Sequence, residues 1–360
     1  MEEESVKFHI TKDVFYNPAM KLCRSISSLA VGAIDEKLEL VDAFCASGIR
    51  GIRYAKENKN VKHTTFIDID SSAIALAKKN AKSNKIKFEG VKGNISKLAF
   101  ECTADFLEID PFGTPSPYLV DALRFFNPKK TGYLSVTATD VAVLCGGKVA
   151  ACMKNYHARP LNNEFTHESG LRILMKKIAE TASEFNFGIS PLISFSNRHY
   201  LKTVFHLKRS ADLAYDCLKK VGYISYCRQC GLRSKSDFPQ ACKNCGTTSE
   251  FTGPLWLGEL HDISFLRRMT VLNNQRNYSD IVQINKMLSL MEGEVGMPPY
   301  YYNVHSMCKR QKCGEVPKLD LILTRIRESG YKAFRTHFSD VSIKSNMPYN
   351  ELLDVIAWKN

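Results

Sequence analysis

No run of this 360-residue chain is apolar for long enough to cross a bilayer as a helix. A helical membrane protein is therefore set aside. The opening residues, Met1-Glu2-Glu3-Glu4, are acidic and no apolar segment follows them. That argues against a secretory leader and for an intracellular, cytoplasmic protein. Low-complexity tracts and internal repeats are absent, which sets aside solenoid and fibrous architectures. Acidic residues are in deficit: 50 Lys and Arg face 37 Asp and Glu, a net charge of +13. Residues 1–200 hold 27 basic and 22 acidic side chains, and residues 201–360 hold 23 and 15. The shorter C-terminal part carries the larger excess. A basic surface of this kind suits a polyanion, with nucleic acid the usual one, or serves solubility alone.

What is present is an ordinary globular composition, 44% hydrophobic and 24% charged, with length for two or three domains. Apolar runs predict strands at Leu38–Ala43, Thr64–Asp68, Val91, Phe106–Ile109 and Tyr133–Thr137. Helical spacing between them predicts helices through Leu22, Ile26 and Leu29, from about Ile52, over Ala73–Asn84 capped by Ser71 or Ser72, and over Leu119–Phe126. Further strands are expected at Gly188–Phe195 and Thr203–Leu207. Alternating strands and helices predict a parallel, doubly wound α/β sheet, a Rossmann-like fold. The texture changes after Val221. Residues 222–252 hold paired cysteines with little apolar periodicity, and residues 253–360 read as a mostly helical, basic C-terminal domain. Its last part, a helix, Gly330 and a strand to Phe338, is compatible with a winged-helix-like α+β module.

The richest stretch is Asp105-Phe-Leu-Glu-Ile-Asp110-Pro111-Phe112-Gly113-Thr114-Pro115. An apolar strand delivers Asp110 into a turn that Pro111 stiffens. An acid, a proline and an aromatic in that order can grip an exocyclic amine on a flat ring: the carboxylate accepts N–H bonds and Phe112 stacks. Upstream, the first strand runs into Cys45-Ala46-Ser47-Gly48-Ile49-Arg50-Gly51. Small residues there let backbone approach a ligand. Only Gly48-x-x-Gly51 of the dinucleotide fingerprint is present, which disfavours a nicotinamide enzyme. Asp68, at the end of the second strand, can accept both hydroxyls of a ribose. Asn94 can meet an adenine amino group, with Ile95 against the ring. Arg50, or Arg24 of the first helix, can pair with a carboxylate. S-adenosylmethionine has that ribose, adenine and carboxylate and no phosphate.

Cys227-x-x-Cys230 and Cys242-x-x-Cys245 lie eleven residues apart, with Gly231 and Gly246 after the pairs. Four thiolates at this spacing predict a structural zinc site in a zinc-ribbon-like insert. Cys308 and Cys313 show no obvious partners, and His199, His206, His261 and His337 receive no catalytic role.

Val14-Phe15-Tyr16-Asn17-Pro18, the loop Ala46–Arg53, Asp110–Pro115, Val136–Asp140, Gly253–Gly258 and Arg335–Ser339 together resemble the archaeal tRNA (guanine(26)-N(2))-dimethyltransferase family. The resemblance spans nearly the whole chain. It implies a class I methyltransferase domain using S-adenosylmethionine as methyl donor (residues 1–221), an additional C-terminal domain that would bind tRNA, and two methyl transfers to the 2-amino group of guanosine 26. On matching positions the cofactor contacts would be Arg24, Arg50, Asp68, Asn94 and Ile95. Asp110 and Phe15 would flank the base, with Pro111 and Phe112 completing the pocket. Relatives often have Asp where this chain has Asn94, which implies weaker discrimination at the adenine. No membrane and no obligate protein partner are expected. Two other readings stay open: a methyltransferase for another nucleobase amine, such as rRNA guanine or DNA adenine, and a zinc-ribbon RNA-binding protein with a vestigial catalytic domain.

Overall fold

The computed structural model describes residues 1–127, 129–236 and 241–357. Seven strands form the central sheet: β1 (Leu38–Ala43), β2 (Val61–Asp68), β3 (Phe88–Lys92), β4 (Phe106–Ile109), β5 (Thr131–Ala138), β6 (Phe187–Asn197) and β7 (Tyr200–Arg209). Their order across the sheet is 3-2-1-4-5-7-6. The first five are parallel, but the expected all-parallel sheet is corrected at its far edge: β7 runs antiparallel between β5 and β6, because a tight hairpin rather than a helical crossover joins β6 to β7. Central strands covered on both faces are apolar without alternation: all four residues of β4 are buried, Glu108 among them. The order reverses between β1 and β4, the place where doubly wound sheets bind ligands.

Helices α1 (Lys21–Gly32), α2 (Ile49–Glu57), α3 (Ser71–Ser83) and α4 (Thr166–Glu184) cover the faces. Two local expectations are corrected. α2 starts at Ile49 rather than Ile52, because Gly48 adopts φ +75 and its carbonyl already accepts from the Ile52 N–H. α3 is capped by Asp70, whose carboxylate accepts from the Ser72 N–H at 2.8 Å, so Ser71 and Ser72 lie inside the helix.

The cysteine-bearing segment is a three-stranded antiparallel sheet of β8 (Val221–Tyr226), β9 (Arg233–Ser236) and β10 (Glu250–Trp256), with β8 in the middle. Its Ile224, Tyr226, Leu255 and Trp256 belong to the main core with α4. Helices α5 (Ile263–Gln275) and α6 (Ile281–Glu294) bury Phe265, Leu266, Met269, Ile284 and Leu288 with Leu22, Ile26 and Leu29 of α1. A separate core begins at Tyr302. It unites α7 (Val304–Gln311), α8 (Leu319–Glu328) and α9 (Tyr349–Ala357) with a small sheet of β11 (Tyr302–Asn303), β12 (Ala333–Thr336) and β13 (Ser339–Ser345). Gly330, at φ +85, ends α8 as expected.

Candidate active site

The loop after β1 is tightly wound. Phe44, Ala46 and Gly48 all have positive φ, and a Cβ on Gly48 would lie 2.9 Å from the Ala77 Cβ. Gly51 is equally constrained, since a Cβ there would sit 2.7 Å from the Phe66 ring. Two acids hold the loop from below. The Asp42 carboxylate accepts from the Gly51 N–H at 2.9 Å, and Asp68 accepts from the Ala46 N–H at 3.0 Å. Asp68 Oδ1 also accepts from the Asp70 N–H. Asn94 is exposed, and its Oδ1 caps the short helix Ile95–Leu98 through the Ser96 N–H at 2.9 Å, with Ile95 buried beneath. Asp68, Asn94 and the β1 loop therefore border one strip along the carboxyl ends of β1, β2 and β3. Ile69, beside Asp68, is 70% exposed there.

Asp110 follows β4 directly. Arg50 donates to it through Nη2, and the same guanidinium lies 3.8 Å from Glu108 Oε1. Lys202, wholly buried, pairs with Glu108 and donates to Thr137 Oγ1 at 3.0 Å; Tyr54 donates to Glu108 Oε2 at 3.0 Å. Burial alone would push the Asp110 carboxyl up. Attraction from Arg50 and Lys202, with hydrogen bonds from Arg50 and Thr137, overcomes it and holds the group below the ordinary carboxylate value. At Asp42 the balance falls the other way: burial pushes it up to about 7, repulsion from Glu108 and Asp110 adds to the rise, and attraction from Arg50 with the Gly51 N–H bond only partly offsets them.

The turn beyond Asp110 is braced from β5. Gly113, at φ +77, donates its N–H to Thr139 Oγ1 at 2.8 Å, and its carbonyl accepts from the Thr139 N–H at 3.0 Å. Thr114 donates to the Tyr156 hydroxyl at 2.8 Å, which in turn donates to Asp140. Pro111 is buried, and Phe112 projects outward, 77% exposed. It meets Phe15, itself 54% exposed, edge-on at 4.7 Å between centroids.

The structure thus gathers Asp110, Pro111, Phe112, Phe15 and Arg50 at one point of the sheet edge. Arg24 stands differently. It is buried and held by Glu3 through a two-pronged bond, Nε to Oε1 at 2.8 Å and Nη2 to Oε2 at 2.5 Å. Glu3 also accepts from Arg53 at 2.9 Å and Tyr16 at 3.0 Å, which anchors the segment carrying Phe15. Sequence reasoning missed Glu3, Glu108, Lys202 and Thr139. The signal for one of them was present: Glu108 is a lone charge inside an apolar strand.

The four cysteine sulfurs converge within 4.8 Å of one another, with Cys227 and Cys245 at 3.4 Å and Cys230 and Cys242 at 3.5 Å. Gly231 (φ +85) and Gly246 (φ +71) close the two turns by donating to the Cys227 and Cys242 carbonyls, each at 2.8 Å. An all-sulfur set near the tetrahedral edge of about 3.8 Å fits a thiophilic divalent ion with bonds of about 2.3 Å. His261, Glu294 and His337 also cluster. There, however, His337 Nδ1 faces Glu294 Oε1 at 2.8 Å, and the Ser194 N–H donates to His261 Nδ1 at 3.3 Å. The second contact leaves the His261 ring hydrogen on Nε2, a donor rather than a ligand. Hydrogen bonds thus tie His261 to β6 and α6 to the C-terminal module, while His261 Nε2 stands 3.8 Å from Glu294 Oε2.

The family model of N2,N2-dimethylguanosine tRNA methyltransferase matches residues 1–357. A tRNA (guanine(26)-N(2))-dimethyltransferase of Methanobrevibacter smithii is 34% identical over 355 residues, covering 95% of this chain and 91% of that protein. The one from Thermococcus kodakarensis is 35% identical over 364 residues, covering 95% and 93%. The solved structure of Trm1 from Pyrococcus horikoshii with S-adenosyl-L-methionine superposes with a TM-score of 0.89 at 32% identity, over 99% of each chain.

Proposed function

The chain belongs to the N2,N2-dimethylguanosine tRNA methyltransferase family, and from that membership we propose how its own residues perform the reaction. It is a class I methyltransferase that uses S-adenosylmethionine to form N2,N2-dimethylguanosine at position 26 of tRNA. The reading of the residues rests on one observation: an acid kept ionised by two cations, Asp110, stands beside two exposed aromatic rings at the carboxyl edge of the sheet.

The strip bounded by the β1 loop, Asp68, Asn94 and Ile95 holds the adenosine end of the cofactor. Asp68 keeps one face toward the loop and accepts from the ribose hydroxyls. Arg50 is the cation nearest the reacting end. Arg24, committed to Glu3, acts as a positioning residue for the N-terminal segment. When bound, S-adenosylmethionine supplies an electrophilic methyl group.

The guanine 2-amino nitrogen is a poor nucleophile because its lone pair is delocalised into the ring. Asp110 accepts its N–H and draws that lone pair out of conjugation. As a methyl is gained, positive charge grows on the nitrogen, and a fixed carboxylate stabilises it where water is scarce. Each transfer releases one proton, to Asp110 or to water. After the first transfer one N–H remains for the carboxylate, which is what a second transfer requires. Extruding a paired base costs a few kcal/mol; Phe15 and Phe112 offset this by stacking on the freed ring.

The four-cysteine cluster is proposed to hold a structural zinc ion. It lies on the insert and buttresses the C-terminal module: the Tyr349 hydroxyl donates to the Cys230 carbonyl, and Leu232 packs on that module's core. Residues 1–221 act as the catalytic domain, 222–252 as the zinc-ribbon insert and 253–360 as the basic region that approaches tRNA. No described helix is long and apolar enough to cross a membrane, and we place the protein in the cytoplasm, acting without an obligate protein partner. Mass spectrometry of nucleosides from unmodified tRNA incubated with protein and labelled cofactor tests the activity. Label in dimethylguanosine from position 26 is expected; label only in adenine, or only in rRNA guanine, would move the assignment to another nucleobase amine.

A further inference from the structure

We infer that the tight turn between β6 and β7, carrying Arg198 and His199, grips the RNA backbone next to the extruded guanosine. This rests on the reading of the active site just given. It places a nucleic-acid contact on the catalytic domain itself, apart from the basic C-terminal region.

The placement follows from strand register. β7 is antiparallel to β5, with Leu201 opposite Ala138 and Lys202 opposite Thr137. β5 is in turn parallel to β4, with Val136 level with Ile109. Thr137 is therefore level with Asp110, and so is Lys202. The turn at 198–199 lies three to four residues farther along the same edge and two strand spacings across, roughly 10 Å in each direction. It overhangs the carboxyl edge, where the base must arrive.

Its footing is the Asp110 network. Lys202 pairs with Glu108 Oε1, the oxygen that Arg50 also approaches. The Tyr200 phenol lies against Cys23, whose sulfur is 3.8 Å from Arg50 Nη1, and accepts from the Asn197 side chain at 3.4 Å. Asn197 and Tyr200 are paired across the turn. Two residues on a rigid hairpin then project into solvent. Arg198, at φ +50, and His199 are both exposed, and among the described residues neither pairs with an acid. A non-glycine residue in the left-handed region is held there by its surroundings. An uncompensated guanidinium carried on a constrained backbone, beside a site that takes a nucleotide, suits a phosphodiester oxygen: its planar fork matches that group.

The test is Arg198→Asn, because asparagine tolerates positive φ, with R198K as the charge-retaining control. Affinity for unmodified tRNA is measured over a series of KCl concentrations, separately from turnover. R198N is expected to bind roughly fivefold more weakly at moderate salt, with the slope of log K against log salt reduced by about one phosphate's worth. R198K should keep the wild-type slope, and cofactor affinity should not change. Wild-type affinity and slope in R198N would overturn the inference. Absence of methylation by wild-type protein would instead strike the reading of the active site, so the two failures are distinguishable.

Discussion

The Phe15 and Phe112 rings meet edge-on at a centroid separation of 4.7 Å and an interplanar angle of 80°, although one precedes α1 and the other follows β4, and both are exposed. Solvent-facing aromatics in contact form a platform on which another flat ring can settle. Neither contributes much to the core, so removing them should touch binding rather than folding. Phe15→Ala or Phe112→Ala should each lower kcat/KM for tRNA roughly tenfold, equivalent to about 1–2 kcal/mol of lost stacking. The melting temperature and cofactor affinity should stay at wild-type values. Steady-state kinetics on tRNA with calorimetric titration of the cofactor reads both.

The ionised state of Asp110 depends on Arg50. Folded Asp110 sits below its ordinary value, so its carboxylate persists above that value and is lost only as pH falls through the lowered one. The rate of methyl transfer in the wild type should stay level down to the acidic end of the carboxylate range. In Arg50→Gln the nearest compensating cation is gone, and burial then dominates. The acid limb of the pH–rate profile should move upward toward neutrality, read by single-turnover transfer at saturating cofactor.

Asp42 runs the opposite way. Its carboxyl is raised by burial to about 7 from 3.8, so the folded state binds a proton that the unfolded chain has released. Stability from this group is fully present below about pH 4, falls as pH rises toward 7, and is level beyond. Asp42→Asn keeps an oxygen for the Gly51 N–H and removes the titration. Its melting temperature should exceed the wild type's at pH 8, and the difference should shrink on approach to pH 4. Thermal unfolding at the two pH values checks the sign.

The four sulfurs of Cys227, Cys230, Cys242 and Cys245 should carry one zinc ion per chain. Elemental analysis of protein purified without added zinc should find it. Cys242→Ser should release it and lower the melting temperature, because the insert rests on the C-terminal module through Leu232 and Tyr349. Cofactor binding, on another part of the molecule, should persist. A metal-free wild type with an unchanged melting profile would refute the assignment.

Much of this was legible in the chain. Strand–loop–helix alternation gave the doubly wound sheet, and strand ends at Ala43, Asp68 and Ile109 put Asp68 and Asp110 on one edge. Paired cysteines with their glycines marked the four-sulfur cluster. The helix boundaries at Ile49 and Asp70 slipped because capping depends on which neighbouring acid or glycine the backbone recruits. Glu108 was visible as a lone charge in an apolar strand, but its pairing with Lys202 required the order 4-5-7, which local pattern does not encode. Glu3 was unreadable: it reaches Arg24, Arg53 and Tyr16 through a fold-back of the chain, and in sequence it is one glutamate among three.

The mechanism depends on a negative oxygen at Asp110, and Asp110→Asn removes the charge with almost no change of shape. Single-turnover transfer of labelled methyl groups to tRNA, run beside a cofactor-binding titration of the same protein, measures this directly. The expected result is near wild-type cofactor affinity with methyl transfer slowed by at least about a hundredfold, the scale of losing one charge-stabilising contact in a transition state. Transfer at the wild-type rate by that variant would contradict the account.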